Sequence, residues 1–175
     1  MIIPSTRLFT AGEVETGAYL NSAVTNLGNF MLGKPIVYLR QTAAQTLTTA
    51  TNAVLAFDTE DIDRDNGHST STNTSRYTAQ TAGWYYIQGS ASFAGNITGT
   101  RIARFLVNGT ALNAGGNITA YTLNTNTNVL PINNFTYLNV GDYVEIQVQQ
   151  TSGGNLNTVV TAPYQSFMSA IWVSS

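Results

Sequence analysis

The chain has 175 residues, 43% of them hydrophobic, which is enough for the core of one domain with an extension. Only 9% are charged, where about a quarter is usual, and a net charge of -2 leaves no basic patch for nucleic acid. The chain has no cysteine, which excludes disulfides and thiol catalysis, and no stretch approaching the roughly 20 apolar residues that would insert into a membrane.

Residues 1–35 are predicted to be an arm with one helix. Thr10 and Glu13 have the spacing of a capping box, so Thr10 is the expected N-cap, and Gly33 marks the end. Packing of the helix on its own domain is the alternative, and we favour an oligomerisation or docking role, because a short helix needs another surface to bury its stripe. The apolar stripe comprises Leu20, Val24, Leu27, Phe30 and Met31.

From residue 36 onward the pattern changes to β. The pair Asn108-Gly109 predicts a hairpin turn. Ile118, Tyr121 and Leu123 are spaced for an exposed strand or lie in a long loop. The predicted strands cover residues 36–40, 53–57, 83–93, 102–107, 129–138, 143–149, 156–161 and 167–173. About eight to ten short strands with polar turns imply an all-β fold, a sandwich or jelly roll.

Five of the nine carboxylates fall within residues 58–65. Asp61, Asp63 and Asp65 superficially resemble a calcium loop, but the glycine and the closing glutamate of an EF-hand are missing from their positions. A looser calcium site on these three residues is an alternative, because clustered carboxylates repel unless paired or metal-bound. We favour a solvated loop, partly neutralised by Arg64 and Arg76.

Sequence motifs for catalysis are missing. His68 is the one histidine, so any triad or histidine metal site would depend on it. A solitary histidine in a polar loop is expected at the surface. The sequence contains no nucleophile elbow and no phosphate loop. We therefore expect no enzyme activity, no catalytic residues and no cofactor other than the calcium alternative.

Several short motifs occur together after residue 36. They are SRYT at 75–78, AGWY at 82–85, RFLVNGT at 104–110, LNVGDYVE at 138–145 and FMSAIW at 167–172. Together they resemble the globular head of complement's first component, and most closely its bacterial and phage branch with a tumour necrosis factor-like jelly roll. The resemblance implies a jelly-roll domain over residues 36–175 and a homotrimer with apolar residues along its threefold axis. The candidates for that interface are Tyr85, Phe105, Tyr143, Phe167 and Trp172, each of which has packing within its own domain as the alternative.

The arm carries a second resemblance. FTAGEV at 9–14, YLN at 19–21 and NFMLGKP at 29–35 resemble the start of tail and capsid-surface proteins of phages that infect actinobacteria. This resemblance implies a structural protein of the virion surface, made in the host bacterial cytoplasm without a secretory signal. The expected role is capsid decoration, cement or a head fibre, attached through the arm to the major capsid protein or other virion proteins. The alternative is a minor tail protein, a receptor-binding or adhesin module for a host surface glycan or protein.

Overall fold

The computed structural model describes residues 10–14, 16–112, 117–121 and 125–175. Within them the chain forms one helix followed by thirteen strands. The first nine residues of the predicted arm and Leu123 of the predicted exposed strand lie outside the described residues. No helix in the described part is long and apolar enough to span a membrane.

The helix, α1, covers Gly17–Leu32, so its predicted start is wrong. Thr16 is the N-cap, and its hydroxyl accepts a hydrogen bond of 3.3 Å from the main-chain N–H three residues later. Thr10 and Glu13 instead close a separate turn, in which the Glu13 N–H donates to the Thr10 carbonyl at 3.0 Å. The end of the helix is as predicted, with Gly33 at the C-cap.

The strands form two main antiparallel sheets. The first sheet has the order β10-β6-β13-β1-β4. The second has the order β3-β11-β7-β8, with β5 also pairing with β11 and β9 with β7, and β2 and β12 form a separate short pair. The strands are β1 (Ile36–Arg40), β2 (Thr46–Leu47), β3 (Ala53–Val54), β4 (Thr59–Asp63), β5 (Arg76–Thr78), β6 (Gly83–Phe93), β7 (Thr100–Val107), β8 (Thr110–Ala111), β9 (Asn117–Tyr121), β10 (Asn128–Leu138), β11 (Tyr143–Gln150), β12 (Leu156–Asn157) and β13 (Phe167–Ser174).

The core lies between the two sheets, so the molecule is a β-sandwich. Alternate residues of each strand point inward, as Leu39, Ile87 and Ala170 do from the first sheet and Phe105 and Ile146 from the second. The two sheets come close together at Gly89 of β6. A Cβ there would lie 2.6 Å from the side chain of Ile146, so only glycine fits without rearrangement.

Three details differ from the strands expected from sequence. The acidic run is not a loop: residues 59–63 form β4, which pairs with β1 at the edge of the first sheet. The strands expected at 53–57 and 156–161 shorten to two residues each, while β2, β5 and β8 were not expected. The predicted hairpin turn is present, since Asn108 and Gly109 both have positive φ, at 50° and 76°, and connect β7 to β8.

Candidate functional site

The outward face of the five-stranded sheet carries a continuous group of aromatic and aliphatic side chains, which we call the aromatic face. Trp84 is 47%, Phe135 58% and Tyr137 44% exposed. The members lie opposite one another across neighbouring strands, so they form one surface. The aromatic face comprises Ile36, Tyr38, Trp84, Tyr86, Phe135, Tyr137, Phe167 and Ile171.

Cross-strand ring pairs organise this face. Trp84 of β6 packs edge-on against Tyr137 of β10, with ring centroids 5.7 Å apart, and Tyr86 packs against Phe135 at 5.0 Å. On β1 and β13, Tyr38 stacks on Phe167 at 5.4 Å. Such pairs hold the rings in fixed orientations before any partner arrives.

The aromatic face is almost free of charge. Strands β6, β10 and β13 contain no Asp, Glu, Lys or Arg along their full lengths. Arg40 on β1 is engaged with Asp61 of β4 at the edge of the sheet. The centre of the face can therefore lie against another surface without desolvating a charge.

Three of the five residues expected at a subunit interface are instead part of the core. Tyr85 and Phe105 have no exposed surface, and Trp172 is nearly buried with its indole N–H donating to the Ala82 carbonyl at 3.1 Å. Packing within the domain, the alternative reading, therefore applies to these three. Of the others, Phe167 lies on the aromatic face and Tyr143 lies on β11 of the second sheet, both partly exposed.

Sequence reasoning chose the wrong face of β6. Trp84 and Tyr86 point outward, whereas Tyr85 points inward and donates its hydroxyl to the Thr81 carbonyl at 2.7 Å. Burial raises the pKa of Tyr85 to about 12. The sequence signal that distinguishes the two faces of β6 is the polarity of the other residues on each face. Tyr85 shares its face with the apolar Ile87, whereas Trp84 and Tyr86 share theirs with polar residues further along the strand.

The predicted docking stripe of α1 divides into two parts. Leu20, Val24, Leu27 and Met31 are each more than half exposed. Phe30 is buried, and its ring meets Trp172 edge-on at 5.1 Å. Phe30 therefore fixes the helix to its own domain and is not available for docking.

The four aspartates of the acidic run bind different protein partners. Arg40 binds Asp61 through Nε and Nη2, the latter at 2.7 Å, and this holds the pKa of Asp61 below its ordinary value. Asp63 accepts hydrogen bonds from the main-chain N–H groups of Gly67, at 3.1 Å, and His68, at 2.9 Å. The cation beside the run is thus Arg40, and not Arg64 or Arg76 as expected.

Asp65 differs from its neighbours because it is directed into the protein. The Tyr77 hydroxyl donates to its Oδ2 at 2.8 Å, while its Oδ1 is buried without a hydrogen-bond partner. Burial raises the pKa of Asp65, although the Tyr77 hydrogen bond opposes that effect. Asp61, Asp63 and Asp65 do not converge, and the described residues contain no group of three or more potential ligands for a metal ion. These three aspartates therefore do not form the calcium site that was the alternative.

His68 is more deeply integrated than a surface position implies. Its Nδ1 lies 2.8 Å from the Arg76 carbonyl oxygen and its Nε2 lies 3.2 Å from the Phe57 carbonyl oxygen. The ring therefore connects the segment before β4 to β5. Both ring nitrogens therefore face main-chain carbonyl oxygens, which is a structural arrangement.

A polar cavity of about 370 Å³ opens beside β5. At its edge the Arg76 guanidinium lies 4.0 Å from the ring centroid of Tyr143 and donates to Glu145 at 3.4 Å. The hydroxyl and amide groups around it suit a small hydroxylated ligand. The cavity is lined by Asn66, Gly67, His68, Ser69, Thr72, Asn73, Arg76, Thr78, Gln80, Gly141 and Tyr143.

Comparison with known proteins identifies the fold. No family model and no curated protein sequence matches the chain. Among solved structures, the globular domain of zebrafish complement 1qA protein is similar with a TM-score of 0.58 and 15% identity, covering 80% of this chain and 98% of that one. Murine APRIL at pH 8.5 is similar with a TM-score of 0.59 and 10% identity, covering 79% of this chain and 98% of that one. The predicted all-β jelly roll with a short N-terminal helix is therefore confirmed, and it is of the complement and tumour necrosis factor type.

Proposed function

We propose that the protein is a non-enzymatic homotrimer that forms part of a phage virion, as a capsid decoration, cement or head-fibre protein. The observation that carries the trimer is the aromatic face. A single chain leaves Trp84, Phe135 and Tyr137 substantially exposed on one surface, and apolar patches of this kind mark interaction sites. Contact among copies of the same chain covers this surface in a closed assembly.

Two features favour further copies of this chain as the occupant. The central strands β6, β10 and β13 are uncharged, so like charges on these strands do not meet when copies of the chain pack around a common axis. The resemblance to the complement globular head supports the same arrangement, because that family implies homotrimers. The weakly charged composition suits a protein that acts by binding and not by chemistry.

Assignment to a virion is supported by the arm. Its sequence resembles the start of capsid-surface and tail proteins of phages, and it precedes the first strand of the jelly roll. Attachment through residues 1–35 would place three copies of the arm on one site of the major capsid protein, or of another virion protein. Three linked contacts give a binding strength that one contact cannot provide.

A reconstruction of the particle tests this role. Density for the jelly roll should appear on the head as threefold projections, and density confined to the tail would contradict decoration. A variant that lacks residues 1–29 retains the packing of Phe30 on Trp172, and should fold but fail to attach to particles. If this variant decorates particles as well as the full chain does, the arm is not the attachment point.

The polar cavity beside β5 favours a second candidate, a tail-associated module that binds a host glycan. Its amide and hydroxyl groups can donate to and accept from sugar hydroxyls. A panel of host-surface glycans tests this candidate, with Gln80→Ala in the cavity and Gln149→Ala outside it as matched variants. Binding that only Gln80→Ala weakens supports the candidate, and equal binding by both contradicts it.

A further inference from the structure

Four of the exposed apolar residues of α1 have the spacing of a coiled-coil seam. Leu20, Val24, Leu27 and Met31 are separated by four, three and four residues, which is the alternation of d and a positions in a heptad. All four are more than half exposed. A helix that packs on a globular domain usually needs a wider stripe, whereas this narrow one suits a second helix.

The helix has little reason to form alone. Its 16 residues include two glycines and three asparagines, which are poor helix formers, and an isolated helix of this length is marginal in water. Phe30 at its C-terminal end is its one buried residue among those described. The seam therefore requires burial that the described residues of its own chain do not provide.

The last turn of α1 is fixed beside the first sheet. Phe30 packs on Trp172, and the Arg64 guanidinium donates to the Leu32 carbonyl at 2.7 Å. The main-chain N–H of Trp172 donates to the Pro35 carbonyl at 3.0 Å, immediately before β1 begins. Since β1 contributes Ile36 and Tyr38 to the aromatic face, the seam starts next to the surface proposed to join the subunits.

We infer that the seam is covered by the same helix of the other copies, in a short parallel bundle continuous with the homotrimer of jelly rolls. This inference rests on the proposed trimer. No residue from Gly17 to Leu32 is charged, so three helices can approach without like-charge repulsion. Valine at an a position and leucine at d positions are also compatible with a coiled coil of two helices. The jelly rolls therefore set the number of helices, and the seam sets their register.

Disulfide trapping on the full chain tests this inference, because the natural chain has no cysteine and one introduced thiol gives an unambiguous product. Val24→Cys places the thiol in the seam, and Ser22→Cys places it on the opposite, exposed side of the same helix turn. A disulfide requires Cα atoms within about 7 Å, so oxidation with diamide should join Val24→Cys chains roughly tenfold more than Ser22→Cys chains. In a trimer only two of three thiols can pair, which leaves covalent dimers and single chains on a non-reducing gel.

The outcomes separate the inference from the proposed trimer. Sedimentation of the natural chain reports the trimer independently of any cysteine. A trimeric mass with equal, low trapping of both variants overturns the helix bundle and leaves the proposed trimer intact. A monomeric or dimeric mass overturns both, because the helix bundle is inferred as part of the trimer. Leu27→Cys, one seam position further on, repeats the test if Val24→Cys does not fold.

Discussion

Replacing Phe135 by alanine perturbs the aromatic face at its most exposed ring. The residue is 58% exposed in the single chain, and a phenylalanine side chain can bury roughly 200 Å². Covering the exposed part removes about 120 Å² per subunit from water, worth about 3 kcal/mol at ~25 cal/mol per Å². A trimer buries three copies, about 9 kcal/mol in total, which at about 1.4 kcal/mol per tenfold raises the dissociation constant by roughly six powers of ten. For a trimer this constant has units of concentration squared, so the concentration at half-dissociation rises by its square root, roughly a thousandfold.

Sedimentation equilibrium over a range of protein concentrations measures that shift. Association also orders side chains, so the calculated value is an upper bound, and a rise of roughly a hundredfold would still agree with it. Ile97→Ala is the matched control, because Ile97 is exposed on a loop outside the aromatic face. Equal behaviour of the two variants, both trimeric at the same concentrations as the natural chain, would refute the assignment of the interface to this face.

Three further predictions concern stability. Gly89→Ala should lower the free energy of unfolding by about 1–3 kcal/mol in denaturant titration, because a Cβ at this position would lie 2.6 Å from a main-chain oxygen of the neighbouring strand in the sheet. Gly154→Ala is the control, since a Cβ there meets open space and the free energy of unfolding should change little. The raised pKa of Tyr85 means that the folded state holds the phenol proton more tightly than the unfolded state does. The contribution of Tyr85 to stability should therefore be full below pH ~10 and fall as the pH rises towards 12. Tyr85→Phe should make this alkaline loss of stability shallower, and an unchanged loss would contradict the cause given. Arg40 lowers the pKa of Asp61, so the ionised carboxylate stabilises the fold above pH ~4. The difference in melting temperature between the natural chain and Asp61→Asn should therefore shrink as the pH falls below that value, and a constant difference would contradict this prediction.

Residues with clean alternation made much of the fold predictable. Residues 83–93 and 143–149 alternate regularly, and the observed strands agree closely with them. The stop at Gly33 was also predictable, because glycine and proline punctuate a helix through local backbone preferences. These features depend on short-range physics that a single sequence carries.

Features that depend on partners distant in sequence were not predictable. Residues 59–63 of the acidic run form strand β4 by main-chain pairing with β1, which also places Asp61 beside Arg40, and local composition does not show this pairing. The helix start was misplaced because the Thr10 and Glu13 groups close a turn with the same local contacts that a capping box uses. A distant strand decided the first case, whereas in the second two local arrangements share the same contacts.

The aromatic face was recognised only in part for a related reason. Adjacent aromatics at residues 84–86 make both faces of β6 appear suitable for burial, so residue type alone does not determine the inward side. The opposing strand decides it, since Phe135 and Tyr137 of β10 lie against Tyr86 and Trp84 on the outside. A surface of this kind becomes visible once the register between the strands is known.

The mass of the natural chain in solution is the most direct test of the proposed assembly. Sedimentation equilibrium at micromolar concentration should give about 56 kDa, three times the chain mass of 18.8 kDa. The mass should stay constant on dilution until the dissociation midpoint is reached. A stable mass of 18.8 kDa across the whole range would show that the aromatic face remains exposed to water in a monomer, and would contradict the homotrimer.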